Sequence, residues 1–193
     1  MGTFQAIAAT GQAMLGLLSD AVPRDQFPNA QFELYQMSNF QQPMDEGISL
    51  FLYRIAPNIT RRNLPPTTGP DGRRFRPPVP IDLFYIATAW APTAVRQQRL
   101  LGWAIRMFED VPVLPTNLLN NFGPEPEIFQ PGETVELILD SLSLQDLNNF
   151  WGVSKASLQL SVGYMARMLF IQSSMAMSEY AEVQTREFGL GKV

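Results

Sequence analysis

The sequence contains no cysteine and no histidine among its 193 residues. These absences exclude disulfides, thiolate nucleophiles, and zinc, iron–sulfur or haem sites that depend on Cys or His ligands. They also exclude Ser-His-Asp and Cys-His catalysis, because the general base of both arrangements is missing. No side-chain type whose ordinary pKa lies near neutrality remains. The composition therefore argues against an ordinary enzyme.

Charged residues are also scarce. They make up 17% of the chain, against about 25% in a typical soluble domain. Twelve of the 14 basic residues are arginine, whose planar guanidinium binds carboxylates bidentately and tolerates desolvation better than an ammonium group. We therefore expect partner molecules to cover part of the surface.

Signals for export and membrane insertion are absent as well. The first residues carry neither a basic region nor a long apolar run, so no secretion signal is predicted. The longest unbroken apolar stretch falls far short of the ~20 residues that span a bilayer. We expect no membrane span.

The charges that are present fall into three blocks. Residues 1–53 hold one basic and five acidic residues, residues 54–106 hold nine and two, and residues 107–193 hold four and eleven. A basic middle between acidic flanks suits head-to-tail packing of copies in a ring. An equally weighted alternative is that these charges only solvate a loop and two helices.

Hydrophobic periodicity predicts an α+β fold, with a mixed, largely antiparallel sheet of about five strands and two main helices on one face. A third, short helix follows a capping box at Ser143 and Asp146 and ends at Gly152. The predicted main helices cover residues 4–20 and 93–109, and the predicted strands cover residues 31–36, 48–55, 81–91, 134–141 and 158–171. The tryptophans Trp90, Trp103 and Trp151 lie within these apolar elements and are predicted to be core residues.

The segment between the second and third predicted strands, residues 57–80, has no periodicity and holds seven prolines and five arginines. It is too long for an ordinary connection, and Asp71-Gly72 favours a hairpin tip. The arginines are the candidate partner interface: Arg61, Arg62, Arg73, Arg74 and Arg76. The sequence pI of about 4.8 disfavours nucleic acid as the ligand, so an acidic protein surface is the preferred partner.

Carboxylate pairs are the remaining candidates for chemistry, because paired acids can hydrolyse glycosides or hold divalent cations without histidine. Each pair lies in a turn or at a helix end, where acidic side chains usually face water. We therefore expect no catalytic site, no metal site and no cofactor. The pairs are Asp45/Glu46, Glu109/Asp110 and Glu125/Glu127.

Four stretches together resemble one known family. They are residues 48–63 (ISLFLYRIAPNITRRN), 83–92 (LFYIATAWAP), 99–114 (RLLGWAIRMFEDVPVL), and 142–151 followed by 158–171. This pattern is similar to the N-terminal domain of the cap, or tail-terminator, protein of extracellular contractile injection systems. These are phage-tail-like particles such as the Photorhabdus virulence cassettes and the antifeeding prophage.

The resemblance implies a tail-terminator-like α+β domain over residues 1–171. It also implies a non-enzymatic ring, expected to be a hexamer, that caps the inner tube and the contractile sheath and ends their polymerisation. Assembly would take place in the cytoplasm as part of a particle that is either released or associated with a membrane. Residues 172–193 match the family poorly and are predicted to be a tail that is flexible or ordered by a partner. The alternatives are a baseplate or tube-adaptor component of such a particle and, less favoured, a small nucleic-acid-binding module.

Overall fold

The computed structural model describes residues 2–61, 63–69, 71–123, 125 and 127–177. Within them, the helices are α1 (Ala6–Ala21), α2 (Ala94–Asp110), α3 (Thr116–Asn121) and α4 (Leu144–Ser154), with a 3-10 helix at Met37–Gln41. The strands are β1 (Gln31–Leu34), β2 (Gly47–Pro57), β3 (Thr67–Thr68), β4 (Arg74–Phe75), β5 (Val79–Trp90), β6 (Val113–Pro115), β7 (Thr134–Asp140) and β8 (Ser161–Ile171). None of the described helices is long and apolar enough to cross a membrane.

Six strands form the main sheet in the order β1-β2-β5-β8-β7-β6, and β3 and β4 form a separate hairpin. Only β1 and β2 pair in parallel, whereas every other pair in the main sheet is antiparallel. The α+β class and the largely antiparallel sheet are therefore confirmed. The sheet has six strands, one more than the five expected. The additional strand is β6, which is only three residues long and ends in a proline, so its sequence shows no strand pattern.

The two main helices, α1 and α2, pack with α3 on one face of the sheet, as predicted. The main hydrophobic core lies between them and alternate residues of β2, β5 and β8, including Leu50, Leu83 and Tyr164. The backbone of α1 lies close to the Phe122 ring at Gly16, where a Cβ built on the glycine would lie 2.4–2.5 Å from that ring. Gly16 therefore provides space for a neighbouring aromatic ring.

A second, aromatic cluster lies on the opposite face of the sheet, under α4 and the 3-10 helix. Phe40 is its centre and is 2% exposed. Its ring centroid lies 5.3–6.2 Å from the ring centroids of five neighbours: Tyr35, Phe51, Trp90, Phe150 and Trp151. The core positions predicted for Trp90 and Trp151 are confirmed, and Trp103 is half-buried against the main core.

The helix α4 begins where the sequence predicts and ends two residues later than predicted. The predicted capping box is present: Ser143 Oγ accepts a hydrogen bond from the Asp146 backbone N–H at 3.1 Å, and Asp146 Oδ2 accepts one from the Ser143 N–H at 3.3 Å. The predicted end at Gly152 is wrong, because α4 continues to Ser154. Lys155 then takes the left-handed conformation, with φ of 55°, that ends the helix.

The water-facing position expected for Glu46 is also wrong. Glu46 is 7% exposed, and its carboxylate accepts hydrogen bonds from two nitrogens of Arg96 on α2. The same guanidinium donates to the Gln26 carbonyl oxygen at 2.9 Å and lies 5.4 Å from the centroid of the Phe27 ring. This ion pair holds α2 against the turn that precedes β2.

Candidate partner interface

Residues 58–78, between β2 and β5, form what we call the arm. Its base is closed by Asn58, which is 1% exposed. The Asn58 backbone N–H donates to the Pro80 carbonyl oxygen at 3.0 Å, and its Nδ2 donates to both carboxylate oxygens of Asp82 at 2.9 and 3.1 Å. Its Oδ1 accepts from the backbone N–H and the hydroxyl of Thr60. The two ends of the arm are thus fastened to each other.

Asp82 also fastens this base to β8. Its Oδ1 accepts a hydrogen bond from the Met168 backbone N–H at 2.9 Å. The β5–β8 pairing shifts register between Ile81 and Leu83, and Met168 has a φ of 65°. A non-glycine residue in the left-handed region is strained and persists only where its surroundings hold it. The carboxylate of Asp82 supplies that hold.

The far end of the arm is the predicted hairpin. Thr67 pairs with Phe75 and Thr68 with Arg74. The Gly69 N–H donates to the Arg73 carbonyl at 2.9 Å, and Gly72 has the φ of +79° that the turn requires. The tip expected at Asp71-Gly72 is therefore confirmed.

A third extended segment, residues 175–177, pairs with the hairpin of the arm. The Met177 N–H donates to the Arg74 carbonyl at 2.7 Å, and the Arg76 N–H donates to the Met175 carbonyl at 3.2 Å. Phe75 and Ala176 form an antiparallel bridge. Residues 175–177 of the predicted tail thus pair with the arm, whereas the Gln172 N–H donates to the Gly2 carbonyl oxygen at 2.8 Å. Residues 178–193 fall outside the described residues. The prediction that the tail is flexible or ordered by a partner stays a prediction.

The candidate arginines divide between the two ends of the arm. Arg73, Arg74 and Arg76 are exposed at the hairpin, while Arg61 is exposed near the base and Arg62 lies outside the described residues. Arg73 contacts Asp71, with Nε 3.4 Å from Oδ2. Arg61, Arg74 and Arg76 form no ion pair with any described residue.

Near the base, Arg61 borders a groove of about 710 Å³ whose walls include Phe129, Pro131 and Leu169. Arg167 borders the same groove, with its Nη1 4.0 Å from Oε2 of Glu136. The groove therefore combines apolar walls with charges of both signs, since Glu133 and Glu136 line it together with Arg61 and Arg167.

These features suit binding. Guanidinium groups on an exposed hairpin can contact carboxylates in parallel pairs of hydrogen bonds. Across the part of the chain that the structure describes, there is no group of three or more Asp or Glu residues placed to hold a metal ion.

Two elements of this site were not predicted from the sequence. The pattern Asn58-Ile59-Thr60 matches a glycosylation signal, yet the Asn58 amide is buried in the hydrogen bonds that close the arm. An Asn side chain often accepts a hydrogen bond from the backbone two residues later, as in an Asx turn, so the same pattern could have predicted this turn. The alternation of Met175 and Met177 was the only sign of the third extended segment.

The sequence matches the family described as the Pvc16 N-terminal domain over residues 9–185. The match extends beyond residue 171, where the resemblance seen in the sequence ended. The chain belongs to the Pvc16 N-terminal domain family. No curated protein matches the sequence at a significant level. The resemblance to caps of contractile injection systems is therefore confirmed at the level of the family.

Two solved structures share the fold of this Pvc16-type domain. The sheath/tube terminator of the extracellular contractile injection system PVC, in its extended state, is 16% identical with a TM-score of 0.65, over 97% of this chain. The tube-terminating cap of the anti-feeding prophage is 20% identical with a TM-score of 0.50, over 94% of this chain. The chain spans 64% and 58% of the lengths of these two proteins, respectively.

Proposed function

We propose that this protein is a structural cap of a contractile injection particle, which closes the end of the inner tube and the sheath and stops their polymerisation. The observation that carries the proposal is the fold shared with the PVC sheath/tube terminator over 97% of the chain. Membership of the Pvc16 N-terminal domain family supports it independently of the structure. The protein acts through binding and carries out no reaction.

The cap is a closed ring of six copies. The blocks of opposite charge along the sequence favour heterologous contacts, in which the basic region of one copy meets an acidic region of the next. The ring assembles in the cytoplasm on the end of a growing tube, within a particle that acts outside the cell. Its partners are a second copy of itself, the tube protein and the sheath protein.

Light scattering of the purified protein, alone and mixed with tubes of its own particle, tests the proposal. A species near 130 kDa, about six times the 21.7 kDa chain mass, supports the ring. A monomer that forms rings only on tube ends supports a templated ring. A monomer that neither binds tubes nor changes their length contradicts the proposal. Electron microscopy of labelled particles then separates a distal cap from a baseplate component by the end that carries the label.

The arm supplies the contact with an acidic partner surface. Replacing Arg61, Arg62, Arg73, Arg74 and Arg76 with Ser should reduce assembly on tubes at least tenfold, because a multivalent set of charge-assisted hydrogen bonds is lost. The unfolding midpoint should not change, because the described arginines of this set are exposed and only Arg73 forms an ion pair with a described residue. The single substitutions Arg74→Ser on the arm and Arg106→Ser on α2, both at exposed arginines, compare the loss of one positive charge at the two places. Unchanged assembly of the arm variant would remove the arm from the interface.

A further inference from the structure

The strand β2 extends well beyond the strand that covers its outer edge. β1 pairs with β2 only from Gln31↔Gly47 to Leu34↔Leu50, and the Tyr35 N–H to Leu50 carbonyl bond at 2.8 Å closes that pairing. β2 continues to Pro57, and beyond Leu50 its only described partner strand is β5 on the other side. Residues 51–57 therefore form an open edge of the main sheet beyond the end of β1.

This open edge has free hydrogen-bonding capacity. Alternate residues of a strand direct their N–H and C=O groups to the same side, an alternation that the register shift between Leu52 and Arg54 interrupts at Tyr53. About half of these groups in residues 51–57 point away from β5. No backbone hydrogen bond from the described residues reaches that side. Pro57 has no N–H, which sets the limit of the usable edge. The Arg54 guanidinium lies 4.7 Å from the centroid of the Phe84 ring, where it stacks on an aromatic neighbour within the sheet.

An apolar groove of about 400 Å³ adjoins this edge, between β2 and the start of α1. Its apolar walls come from Phe4, Ile7 and Ala8 on the helical side and from Leu34, Leu50 and Leu52 on the sheet side. Phe4 is 77% exposed, although phenylalanine is usually buried. Ile55, further along the same face of β2, is 48% exposed. The open edge and the exposed apolar surface thus coincide.

We propose that residues 51–56 of β2 accept an extended segment of another protein as an added strand. The unpaired backbone groups select an extended chain, because a helix has no free backbone groups along its side and a small apolar ligand would leave them unpaired. The groove selects apolar side chains at alternate positions of that segment, since these point to one face of the sheet. An acidic side chain on the other face would lie within reach of Arg54.

The test uses the full-length protein and the nine-residue peptide Ac-KTVTVEVTK-NH2, which alternates valine with polar residues. Its control, Ac-KTVTPEVTK-NH2, carries a proline that removes a central N–H and breaks the alternation. Two-dimensional amide NMR should show saturable shifts at residues 4–8, 34 and 52–56. Amides on the open edge should exchange more slowly with solvent when the peptide is bound. The control peptide should bind at least tenfold more weakly.

Two variants locate the site. Leu52→Glu places a charge in the groove and should weaken peptide binding at least tenfold. Phe4→Ser changes an exposed side chain, so it keeps the fold intact and should weaken binding severalfold. Val95→Glu, at a position on α2 that is 69% exposed and lies outside the groove, is the matched control and should have no effect.

Three results would overturn this inference. The first is the absence of saturable shifts up to ~2 mM peptide, where even a weak specific complex of about 4 kcal/mol would be visible. The second is binding that the proline peptide reproduces. The third is protection of residues 52–56 that grows with protein concentration alone, which would assign the edge to a second copy. No tube or sheath is present, so the result is independent of the proposed capping function.

Discussion

The body of this protein and its arm are stabilised by different means. The body buries two hydrophobic clusters against the two faces of one sheet. The described residues of the arm contribute to neither cluster. The arm is held by hydrogen bonds: at its base through Asn58 and Asp82, and along the hairpin through pairing with residues 175–177. Stability therefore resides in the body, whereas the arm presents charged side chains at little cost to folding.

This division explains why the arginines of a weakly charged chain are concentrated in the arm. A guanidinium placed in either cluster would be desolvated without a partner, which is strongly unfavourable. On a two-residue ladder in water, the same group keeps its hydration and remains available for a partner. Mutations in the two regions should consequently separate loss of folding from loss of binding.

The largest expected effect is the loss of stability when Phe40, in the aromatic cluster of the body, is replaced. Phe40→Ala should lower the free energy of unfolding by about 3–5 kcal/mol, because it removes the ring at the centre of five aromatic contacts and leaves a cavity. Chemical denaturation followed by tryptophan fluorescence measures the loss, since Trp90 and Trp151 both adjoin the cavity. Phe75→Ala is the matched change in the arm and should cost less than about 1 kcal/mol, because that ring is half-exposed. Equal losses from the two substitutions would contradict the division between body and arm.

A smaller effect concerns the packing of α1. Gly16→Ala should destabilise the protein by about 1–3 kcal/mol, because the added methyl group would overlap the ring of Phe122 and force repacking. Gly102→Ala on α2 is the control: no atom lies within 4 Å of its added Cβ. There the higher helix propensity of alanine should stabilise the protein by up to about 1 kcal/mol. Thermal unfolding of both variants gives the comparison, and a stabilised Gly16→Ala variant would show that α1 and α3 are not closely packed.

Much of the fold could be predicted from the sequence because its elements follow regular periods. The strands around Leu50 and Leu83 are runs of apolar and aromatic residues typical of central strands, and the helix that contains Leu100 has the helical spacing that burial on one face requires. The end of α4 could not be predicted in the same way. Glycine is the usual residue in the left-handed position that ends a helix, which favoured an end at Gly152. The helix instead continues to Ser154 and ends at Lys155, because tertiary contacts bury Trp151 and Ser154.

The candidate site was predictable only in part, for a related reason. The prolines and the Asp71-Gly72 pair mark the hairpin locally, so its tip could be placed. The contact from Asp82 to Met168 joins residues 86 positions apart. The burial of Glu46 likewise depends on Arg96, which lies 50 positions away. Neither contact has a local signature, and both required the three-dimensional arrangement.

The smallest effect concerns an exposed ion pair on the body. On α2, Arg106 donates hydrogen bonds to Asp110 one helical turn later, and this lowers the pKa of the Asp110 carboxyl below its ordinary 3.8. A carboxyl whose pKa is lower in the folded state stabilises the fold above the unfolded-state pKa, and this contribution is lost as the pH falls through the folded-state pKa. Carboxyl-detected NMR titration should find the low pKa in the native protein and a return towards the ordinary value in Arg106→Gln. If the Asp110 pKa is the same in both proteins, the ion pair is broken by solvent and α2 depends on its buried face alone.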